Sequence, residues 1–439
     1  MRYLIDVAYL LAAVGLSPVV IYRMLWQKRY RRGWGNRFGK VERRRPERKC
    51  IWIHAVSVGE VNATRTLVAE LKRKLPDFEI VISSTTDTGF ARAEALYGGE
   101  HCVFYFPLDL SWVVAKVFRS INPAVCLLME LEVWPNFVAT AQRLQIPVVI
   151  VNGRITRKSC RRFGMVKPLA AWMFRKIDLV LAQSDEYARR FAAVGVVPER
   201  VVVTGSLKYD TAEVTDSVEG VEVLREQLDV GDERVLVAGG TGPGEEKILL
   251  DVYGRLRRQF EDLRLVIVPR KPERFGEVAE LIERSGFEFV RFSSIKSGGE
   301  KVGGKVPVIL GDTMGDLRKF YCLADVAFVG RSLVPMGGSD MIEAVALGKC
   351  CVFGPHTFNF AQTVEDLLAE NGAIQVNNAD ELLAALRKCL GEPSYAAKIA
   401  AAGRAVVKKN QGATQRSVEK IMQLTQSLGI RPNPTPRPV

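Results

Sequence analysis

Histidine is scarce in this sequence, and the motifs that would build a zinc site are missing. The chain has three histidines among 439 residues, and it contains no HExxH and no cluster of His and Cys. Structural and catalytic zinc sites need three or four such ligands close together. We therefore expect no dedicated zinc site.

Paired cysteines are missing as well. The eight cysteines include no CxxC pair, and most of them lie in apolar runs that are typical of strands. A free cysteine in such a run behaves as a small hydrophobic residue. This pattern is typical of a protein in a reducing compartment, and it argues against a disulfide framework.

The glycine-rich segment of residues 239–246 lacks the residues that define the common nucleotide-binding motifs. It reads GGTGPGEE between a predicted strand and a predicted helix, where backbone amides and the helix dipole could hold an anion. No Lys-Ser/Thr pair follows Gly244, and no GxGxxG is followed at the right distance by an acid suited to a ribose. A P-loop kinase and a nicotinamide-dependent enzyme are therefore disfavoured.

Positive charge is plentiful but confined to one segment. The chain carries a formal net charge of +13, and residues 23–49 contain twelve basic residues and two acids. The rest of the chain is close to neutral, which disfavours a nucleic-acid-binding surface. The basic segment directly follows an apolar run, Tyr3–Leu25, of about the length that a bilayer requires.

Three interpretations of Tyr3–Leu25 compete. A cleaved signal peptide is disfavoured because the basic cluster lies on its C-terminal side and no small-residue cleavage site is evident. A buried core helix would leave the basic cluster unexplained. A membrane anchor explains both features, and the positive-inside rule then places the body of the chain in the cytoplasm. Asp6 and Pro18 leave open whether the anchor spans the bilayer or lies in one leaflet.

The basic segment also carries aromatic residues at intervals. Trp26, Tyr30 and Trp34 alternate with Arg and Lys, and this composition suits an interface beside anionic headgroups. We therefore predict a membrane anchor over residues 1–25 and a basic juxtamembrane segment over residues 26–49.

Two stretches of alternating strands and helices follow. Apolar runs alternate with helical segments over residues 50–215 and again over 233–395, with an acidic, weakly patterned connection between them. This alternation predicts two Rossmann-like α/β domains, each a parallel sheet covered by helices, with a ligand cleft at the carboxyl ends of the strands. Residues 396–428 are predicted to be helical, and residues 429–439 to be a disordered tail.

Two acidic motifs follow predicted strands. In Ser57-Val58-Gly59-Glu60, the glutamate either accepts a proton from a substrate hydroxyl or is an ordinary first-turn acid favoured by the helix dipole. The spacing does not separate these interpretations. Glu130 and Glu132 come just before Trp134-Pro135, so a capped helix start is one explanation. Acids are costly at the end of a buried strand, however, and this favours a function.

Two loops of the second domain are candidates for a nucleotide site. Arg270, within PRKPER at residues 269–274, could pair with a phosphate, although a solvated charge run is the usual explanation of such a string. The turn of residues 330–344 leads from a strand into a helix that carries Glu343. Its amides would suit a phosphate and Glu343 the ribose hydroxyls, or its glycines serve only the backbone.

Together, eight segments resemble the 3-deoxy-D-manno-octulosonic acid (Kdo) transferase family of lipopolysaccharide biosynthesis. In chain order they are HAVSVGEV (54–61), ISSTTDTGF (82–90), LEVWPN (131–136), NGRIT (152–156), GSLKYD (205–210), PRKPERF (269–275), GDTMGDL (311–317) and GPHTFNF (354–360). The resemblance covers nearly the whole chain, and several of the segments are long.

The resemblance implies a GT-B fold: two Rossmann-like domains that face a central cleft, with the C-terminal helices of residues 396–428 crossing back to the first domain. It implies an inverting glycosyltransferase that moves Kdo from CMP-Kdo to the lipid A precursor, lipid IVA. The expected location is the cytoplasmic face of the cell inner membrane. Neither a cofactor nor a metal is implied.

The resemblance also assigns residues. Glu60 matches the general base, and Glu130 and Glu132 match acids on the acceptor side. The residues that match the donor side are Pro269, Arg270, Met314, Gly315, Asp316, Asp340, Met341, Ile342 and Glu343. Five further residues complete the set of candidate site residues: Ser57, Gly59, Lys208, Thr241 and His356.

The sequence departs from the family pattern on the donor side. The family's His-Gly-Gly-His-Asn-Pro-Leu-Glu-Pro run is MGGSDMIEA at residues 336–344, and Lys271 stands where the family has a histidine. Two alternatives therefore remain: a GT-B transferase that uses a UDP-sugar on a lipid acceptor, and a non-catalytic protein that binds a sugar nucleotide or a lipid. The presence of Glu60 and Arg270 argues for the enzyme.

Overall fold

The computed structural model describes residues 2–26, 32–298 and 306–429. The chain divides into two compact units: Met1–Thr211 with Gln411–Val439 form the first, and Ala212–Asn410 form the second. Parts of four predicted segments lie outside the described residues: residue 1 of the anchor, residues 27–31 of the basic segment, residues 299–305 of the second domain and residues 430–439 of the tail.

The first unit is built on a parallel sheet. Its described residues form seven strands in the order β3-β2-β1-β4-β5-β6-β7. The strands are β1 (Lys49–His54), β2 (Phe78–Ser84), β3 (Cys102–Tyr105), β4 (Val125–Met129), β5 (Val148–Gly153), β6 (Leu179–Ala182) and β7 (Val201–Val203). The strand order reverses between β1 and β4, and in doubly wound folds ligands bind at the carboxyl ends of the strands at such a switch point.

Helices cover both faces of this sheet. In chain order they are α1 (Arg2–Leu25), α2 (Trp34–Arg37), α3 (Val58–Lys74), α4 (Asp87–Tyr97), α5 (Ser111–Ile121), α6 (Pro135–Arg143), α7 (Arg157–Met165), α8 (Lys167–Phe174), α9 (Asp185–Val194) and α10 (Leu207–Asp210).

Strand β1 lies at the centre of the first unit because both of its faces are apolar. The Trp52 ring packs on one face, with its centroid 5.3 Å from that of Phe118 and 5.0 Å from that of Phe137. Its indole N–H donates a hydrogen bond to Ser83 Oγ at 2.8 Å. Ile51 and Ile53 belong to the core on the opposite face. A strand buried on both faces needs a continuous apolar run, as this one has.

The second unit repeats the architecture. Its described residues form seven parallel strands in the order β10-β11-β9-β8-β12-β13-β14. The strands are β8 (Val235–Thr241), β9 (Arg264–Pro269), β10 (Phe289–Arg291), β11 (Val308–Leu310), β12 (Val326–Val329), β13 (Cys350–Phe353) and β14 (Ile374–Gln375). The order reverses between β8 and β12, which places a second switch point there.

The helices of the second unit follow the same alternation. They are α11 (Val221–Gln227), α12 (Glu245–Arg257), α13 (Phe275–Arg284), α14 (Phe292–Lys296), α15 (Leu317–Leu323), α16 (Ile342–Ala346), α17 (Ala361–Ala369), α18 (Ala379–Gly391) and α19 (Pro393–Asn410). The prediction of two α/β domains with parallel sheets is confirmed.

The C-terminal helices divide between the units. Helix α19 belongs to the second unit, whereas α20 (Ala413–Ser427) belongs to the first. There α20 packs on α3, where the Thr66 and Thr414 hydroxyls are 2.8 Å apart. The Ser417 hydroxyl donates to Thr204 Oγ1 at 3.2 Å. The second unit begins at Ala212, ahead of the predicted domain start at residue 233.

Helix α1 docks on the first unit through Asp6. This carboxylate is buried and accepts hydrogen bonds from the Ser111 backbone N–H at 2.8 Å and from Asn136 Nδ2 at 2.9 Å. Ser111 is the first residue of α5, whose N-cap residue, Leu110, provides no side-chain cap. Asp6 therefore satisfies a helix-start amide that would otherwise have no partner. A buried carboxylate is tolerated when it is hydrogen-bonded in this way.

Replacing Asp6 by Ala is expected to lower the free energy of unfolding of the first unit by about 1–3 kcal/mol, because the N–H and hydroxyl of Ser111 and the amide of Asn136 lose an acceptor. Urea unfolding followed by circular dichroism measures the change. The matched control is Glu47→Ala, which removes an exposed acid. Equal unfolding midpoints for the two variants would contradict the role of Asp6.

The opposite side of α1 carries exposed apolar side chains, including Leu4, Leu11 and Val14. The described helices nevertheless include none that combines the length and the hydropathy needed to cross a membrane.

Several arginines of the basic segment bind protein atoms. Arg43 forms an ion pair with Glu79 at 2.7 Å and donates to the Ile121 carbonyl oxygen at 3.0 Å. Arg37 donates to the Thr85 carbonyl oxygen at 2.9 Å, and Arg48 to that of Pro76 at 3.3 Å. Part of the charge that the sequence concentrates here therefore fastens the segment to the first unit.

Candidate active site

Glu60 lies in the first turn of α3, directly after β1. Its Oε1 accepts a hydrogen bond from the Ser57 hydroxyl at 2.9 Å, and its Oε2 accepts one from the Val56 N–H at 2.9 Å. In return, the Glu60 N–H donates to Ser57 Oγ at 3.3 Å. This reciprocal arrangement is a capping box, and it fixes the carboxylate in one orientation. Gly59 is the neighbouring exposed residue of the same turn.

Glu130 and Glu132 follow β4, the neighbour of β1 in the sheet. Glu130 has a left-handed backbone, with φ of 54°, and its N–H donates to the Val151 carbonyl oxygen at 3.0 Å. Left-handed geometry disfavours side chains that branch at Cβ but is open to a few polar residues. Because β1 and β4 are paired, both acids lie close enough to Glu60 for their charges to interact.

Burial and neighbouring charge shift the pKa of two of these carboxyl groups, Glu60 and Glu132. Burial raises the pKa of Glu132 to about 7, and the charges of Glu60 and Glu130 add to the effect. Burial also raises the pKa of Glu60, and the Glu130 charge acts in the same direction, whereas the hydrogen bonds from Val56 and Ser57 oppose it. Carboxyl groups with a pKa near neutrality can transfer protons at physiological pH.

The raised pKa of Glu132 predicts a pH-dependent stability difference. Between the ordinary Glu value and about 7, the folded protein holds a proton that the unfolded chain releases, so stability falls as pH rises through this window. Glu132→Gln removes the titrating group. We expect this variant to melt a few degrees above the wild type at pH 8 and to show no such gain at pH 5. Thermal melts at both values test this, and a pH-independent difference would count against it.

Asn152 lies beside the acid cluster and was not among the predicted site residues. It is the penultimate residue of β5, is fully buried and has φ of 56°, and its Oδ1 accepts a hydrogen bond from the Leu207 N–H at 3.0 Å. Within the described residues, its buried Nδ2 has no hydrogen-bond partner. A polar residue within the last positions of an apolar strand was the signal that could have identified it. Lys208, half-buried, follows Leu207 in α10.

In the second unit, Glu245 joins the two glycine-rich loops. Its fully buried carboxylate accepts hydrogen bonds from the N–H groups of Gly242 at 3.0 Å, Ser332 at 2.7 Å and Leu333 at 2.8 Å, and also from the Arg331 N–H. The amides of residues 331–333 are thus already used within the unit. They are not available for a phosphate, which corrects the expectation for this part of the loop.

Arg270, Asp340 and Glu343 come together near the β8–β12 switch point. Arg270 follows β9 with an exposed side chain, and its N–H donates to the Thr241 carbonyl oxygen at 3.1 Å. Part of the Glu343 side chain is exposed. The protein atoms around its carboxyl group nevertheless remove much of the water from it, and this desolvation raises its pKa. The charge of Asp340 adds to this increase, and the charge of Arg270 opposes it. Asp340 Oδ1 accepts a hydrogen bond from the Ile342 N–H at 3.0 Å.

Tyr321 lies under this group and was also missed. Its side chain is fully buried, and the charges of Glu343 and Asp340 contribute to a raised pKa of its hydroxyl, after burial. A Cβ atom on Gly239 would lie 2.2 Å from the Tyr321 hydroxyl oxygen, so only glycine leaves room there. The glycine at the end of β8 was the available signal for a close neighbour.

Other predicted donor-side residues are engaged within the second unit. Asp316 is buried and pairs with Lys296 at 2.6 Å and with Lys319 at 3.1 Å. The Thr241 hydroxyl donates to Glu246 at 2.8 Å. Three more residues have buried side chains that leave only their backbone to contact a ligand: Pro269, Met341 and Ile342.

The remaining predicted residues lie on loops. Met314 is exposed, and Gly315 beside it has φ of 92°. His356 is half-buried, and its N–H donates to the Ser332 carbonyl oxygen at 2.9 Å. Across residues 2–26, 32–298 and 306–429, no group of three His, Cys, Asp or Glu side chains is arranged to hold a metal ion.

Comparison with known proteins identifies the family. The family model described as 3-deoxy-D-manno-octulosonic-acid transferase (kdotransferase) matches residues 32–211. The 3-deoxy-D-manno-octulosonic acid transferase of Haemophilus influenzae is 35% identical over 393 residues, covering 89% of this chain and 91% of that protein. The chain belongs to the Kdo transferase family. The enzyme of the same name from Bordetella pertussis is 33% identical over 438 residues, covering 94% and 98% of the two chains.

Solved structures show the fold of this Kdo transferase. A glycosyltransferase from Rickettsia africae has a TM-score of 0.58 at 16% identity and covers 86% of this chain and 99% of its own. UDP-GlcNAc 2-epimerase from Neisseria meningitidis has a TM-score of 0.57 at 15% identity, with coverage of 85% and 100%. The two units thus resemble those of GT-B glycosyltransferases. The family membership shows that the chain is a glycosyltransferase enzyme.

Proposed function

We propose that this Kdo transferase moves Kdo from CMP-Kdo to a lipid A precursor, lipid IVA, by an inverting displacement with Glu60 as general base. The observation that carries the proposal is the cluster of Glu60, Glu130 and Glu132 at the switch point of the first sheet. The chain's membership of the Kdo transferase family supports Kdo as the transferred sugar.

The reaction needs a base for the acceptor hydroxyl. As the hydroxyl oxygen attacks the anomeric carbon of Kdo, its proton passes to the Glu60 carboxylate. The bond between the anomeric carbon and the phosphate oxygen breaks, and CMP leaves. Attack opposite the leaving group inverts the anomeric centre. The Val56 N–H and the Ser57 hydroxyl hold Glu60 in place and stabilise its ionised form.

The neighbouring acids affect the protonation state of Glu60. The charges of neighbouring carboxylates add to the effect of burial and raise the pKa of both Glu60 and Glu132. The raised pKa of Glu132, about 7, favours its protonated, neutral form near neutral pH. A neutral Glu132 reduces the repulsion at Glu60, which can then remain ionised as a base.

The donor side supplies charge for the leaving group. CMP carries a monophosphate, which needs less neutralisation than a diphosphate, so Arg270 with backbone amides would suffice without a metal. The exposed guanidinium of Arg270 can pair with two phosphate oxygens. Glu343 and Asp340, which lie near it, would accept hydrogen bonds from the ribose or sugar hydroxyls.

Arg270→Ala is expected to raise the KM for CMP-Kdo roughly tenfold to a hundredfold, because a charge-assisted hydrogen bond to the phosphate is lost. Steady-state kinetics with varied donor test this. Lys271→Ala removes the adjacent exposed cation and is the matched control. If both variants raise the KM equally, general attraction of the anion explains the effect and the specific role of Arg270 fails.

We also propose that the first unit docks on the anionic cytoplasmic leaflet of the inner membrane, with α1 lying in the interface. The exposed apolar side of α1 supports this, and a second apolar surface lies at Met165 and Val166, where α7 meets α8. Helix α7 has no buried residue and carries four basic residues, Arg157, Lys158, Arg161 and Arg162. Apolar residues beside basic ones are typical of interfacial helices.

Vesicle flotation tests the membrane proposal. The full-length protein should float with phosphatidylglycerol vesicles and far less with phosphatidylcholine vesicles, because the basic residues favour anionic lipid. Leu11→Glu together with Val14→Glu should abolish flotation. Unchanged flotation would remove α1 from the proposed surface.

A donor comparison separates the proposed function from its alternatives. Transfer to lipid IVA is measured with CMP-Kdo and with a UDP-sugar. Turnover with CMP-Kdo supports the proposal, turnover with the UDP-sugar alone supports a different transferase, and binding without turnover supports a non-catalytic role. The departures of residues 336–344 from the family pattern make this comparison informative.

A further inference from the structure

Two thiols of the second unit are in contact. Cys350 is the first residue of β13 and Cys389 lies near the end of α18, and their sulfur atoms are 3.7 Å apart. Both side chains belong to the core between sheet and helix, with exposed fractions of 1% and 2%. Both cysteines are free. The next residue, Cys351, points to the opposite face of the strand, as alternation along a strand requires.

A cavity gives access to the pair. Cys350 and Cys389 line a pocket of about 260 Å³ that is open to solvent, together with Lys349, Arg234 and Asp325. The pocket borders residues that begin β8, β12 and β13, so it lies at the sheet edge opposite the candidate donor loops. A molecule as small as a peroxide can therefore reach the sulfur atoms without unfolding the unit.

The two thiols differ in acidity. The hydrogen bond from Cys350 lowers the pKa of Cys389, and the charge of Lys388 acts in the same direction, against the effect of burial. The same hydrogen bond, together with burial, raises the pKa of Cys350. Since the thiolate is the nucleophile, Cys389 is the sulfur that reacts first and Cys350 is the one that resolves.

We propose that Cys350 and Cys389 form a redox-active dithiol that hydrogen peroxide converts reversibly to an intramolecular disulfide. The Cys389 thiolate attacks one peroxide oxygen, which gives a sulfenic acid and hydroxide. The Cys350 sulfur then attacks the Cys389 sulfur, the S–S bond forms and the sulfenic oxygen leaves as water. Overall, two thiols lose two electrons and two protons, and one peroxide becomes two waters. A dithiol reductant reverses the change.

The disulfide would join positions 39 residues apart in the chain. A covalent link between α18 and the start of β13 restricts the unfolded chain, so oxidation is expected to raise the melting temperature of the second unit by several degrees. The proposal concerns the core of this unit and does not depend on which sugar or acceptor the enzyme uses.

Peptide mapping of the full-length protein tests the proposal. The folded protein is treated with a small excess of hydrogen peroxide, denatured, alkylated and digested, and the peptides are analysed by mass spectrometry. We expect a peptide pair linked through Cys350 and Cys389, which dithiothreitol converts back to two alkylatable thiols. Cys351, buried in the same strand, should remain alkylatable throughout.

Two variants give the control. Cys351→Ser should form the linked peptide like the wild type, whereas in Cys389→Ser the Cys350 thiol should stay reduced. The proposal is overturned if Cys350 and Cys389 in the wild type stay as alkylatable as Cys351, or if Cys389 proceeds to a sulfinic acid with Cys350 still free. The wild-type result decides the matter even if Cys389→Ser folds poorly.

Discussion

Glu60→Gln is expected to reduce Kdo transfer roughly 10²- to 10⁴-fold, the contribution that a positioned general base makes to such a step. Glutamine keeps the shape of the side chain and a carbonyl oxygen that can accept the Val56 N–H, so the start of α3 is preserved. It cannot take the proton of the acceptor hydroxyl. The loss should therefore appear in kcat, while binding of CMP-Kdo, measured by calorimetry, remains close to the wild-type value.

The matched control for this variant is Glu70→Gln. Glu70 lies on the same helix and pairs with Arg73, away from the acid cluster. It should transfer Kdo at the wild-type rate. If Glu60→Gln also keeps wild-type turnover, the base is another group, and the carboxylate of Glu60 serves only as a helix cap.

Glu245→Ala is expected to lower the free energy of unfolding of the second unit by about 3–5 kcal/mol, a loss typical when one partner of a buried charged network is removed. The carboxylate is fully buried and is the acceptor for four backbone N–H groups on two loops. Without it, these buried and partly buried donors lose their common acceptor. Urea unfolding, with the transitions of the two units fitted separately, measures the loss.

Two further variants define the role of Glu245. Glu245→Gln should be intermediate, because its amide oxygen can still accept while its NH₂ group faces N–H donors. Glu273→Ala removes an exposed acid of the second unit and should leave the transition unchanged. A Glu245→Ala protein that unfolds at the wild-type midpoint would show that the loops find other acceptors.

The central strands could be predicted from the sequence because they are long and apolar. β1, β4, β8 and β12 each form an apolar run that ends at a turn signal, and a strand buried on both faces requires this. Strands β3 and β14 lack this signal in the sequence. Both lie at sheet edges. β14 has two residues and β3 is partly exposed, so neither shows a complete pattern.

The residues of the candidate site could be predicted from the sequence, but their spatial proximity could not. Glu60 and Glu130 could be singled out because each follows a buried strand. Their proximity depends on β1 and β4 being neighbours, and strand order is not contained in local periodicity. The contact of Glu245 with the Arg331 N–H spans 86 residues for the same reason.

The chemical roles of individual groups could not be predicted from the sequence either. The sequence left open whether the amides of residues 330–344 hold a phosphate, and it could not show that the internal carboxylate of Glu245 already accepts from part of that loop. Tyr321 could not be predicted because an aromatic residue in an apolar helix is usually core, and only the closeness of Gly239 reveals where its hydroxyl lies.

The docking of Asp6 bears on how this protein can be shortened for crystallography or solution work. A fragment that begins after α1 would be expected to gain solubility, because it lacks a row of exposed apolar side chains. It would also lose the acceptor for the first amide of α5 and for the side chain of Asn136, at the start of α6. Because α6 directly follows the Glu130–Trp134 turn, such a fragment would be loosened beside its own acid cluster. A soluble variant is better made by changing the exposed residues of α1 and keeping Asp6.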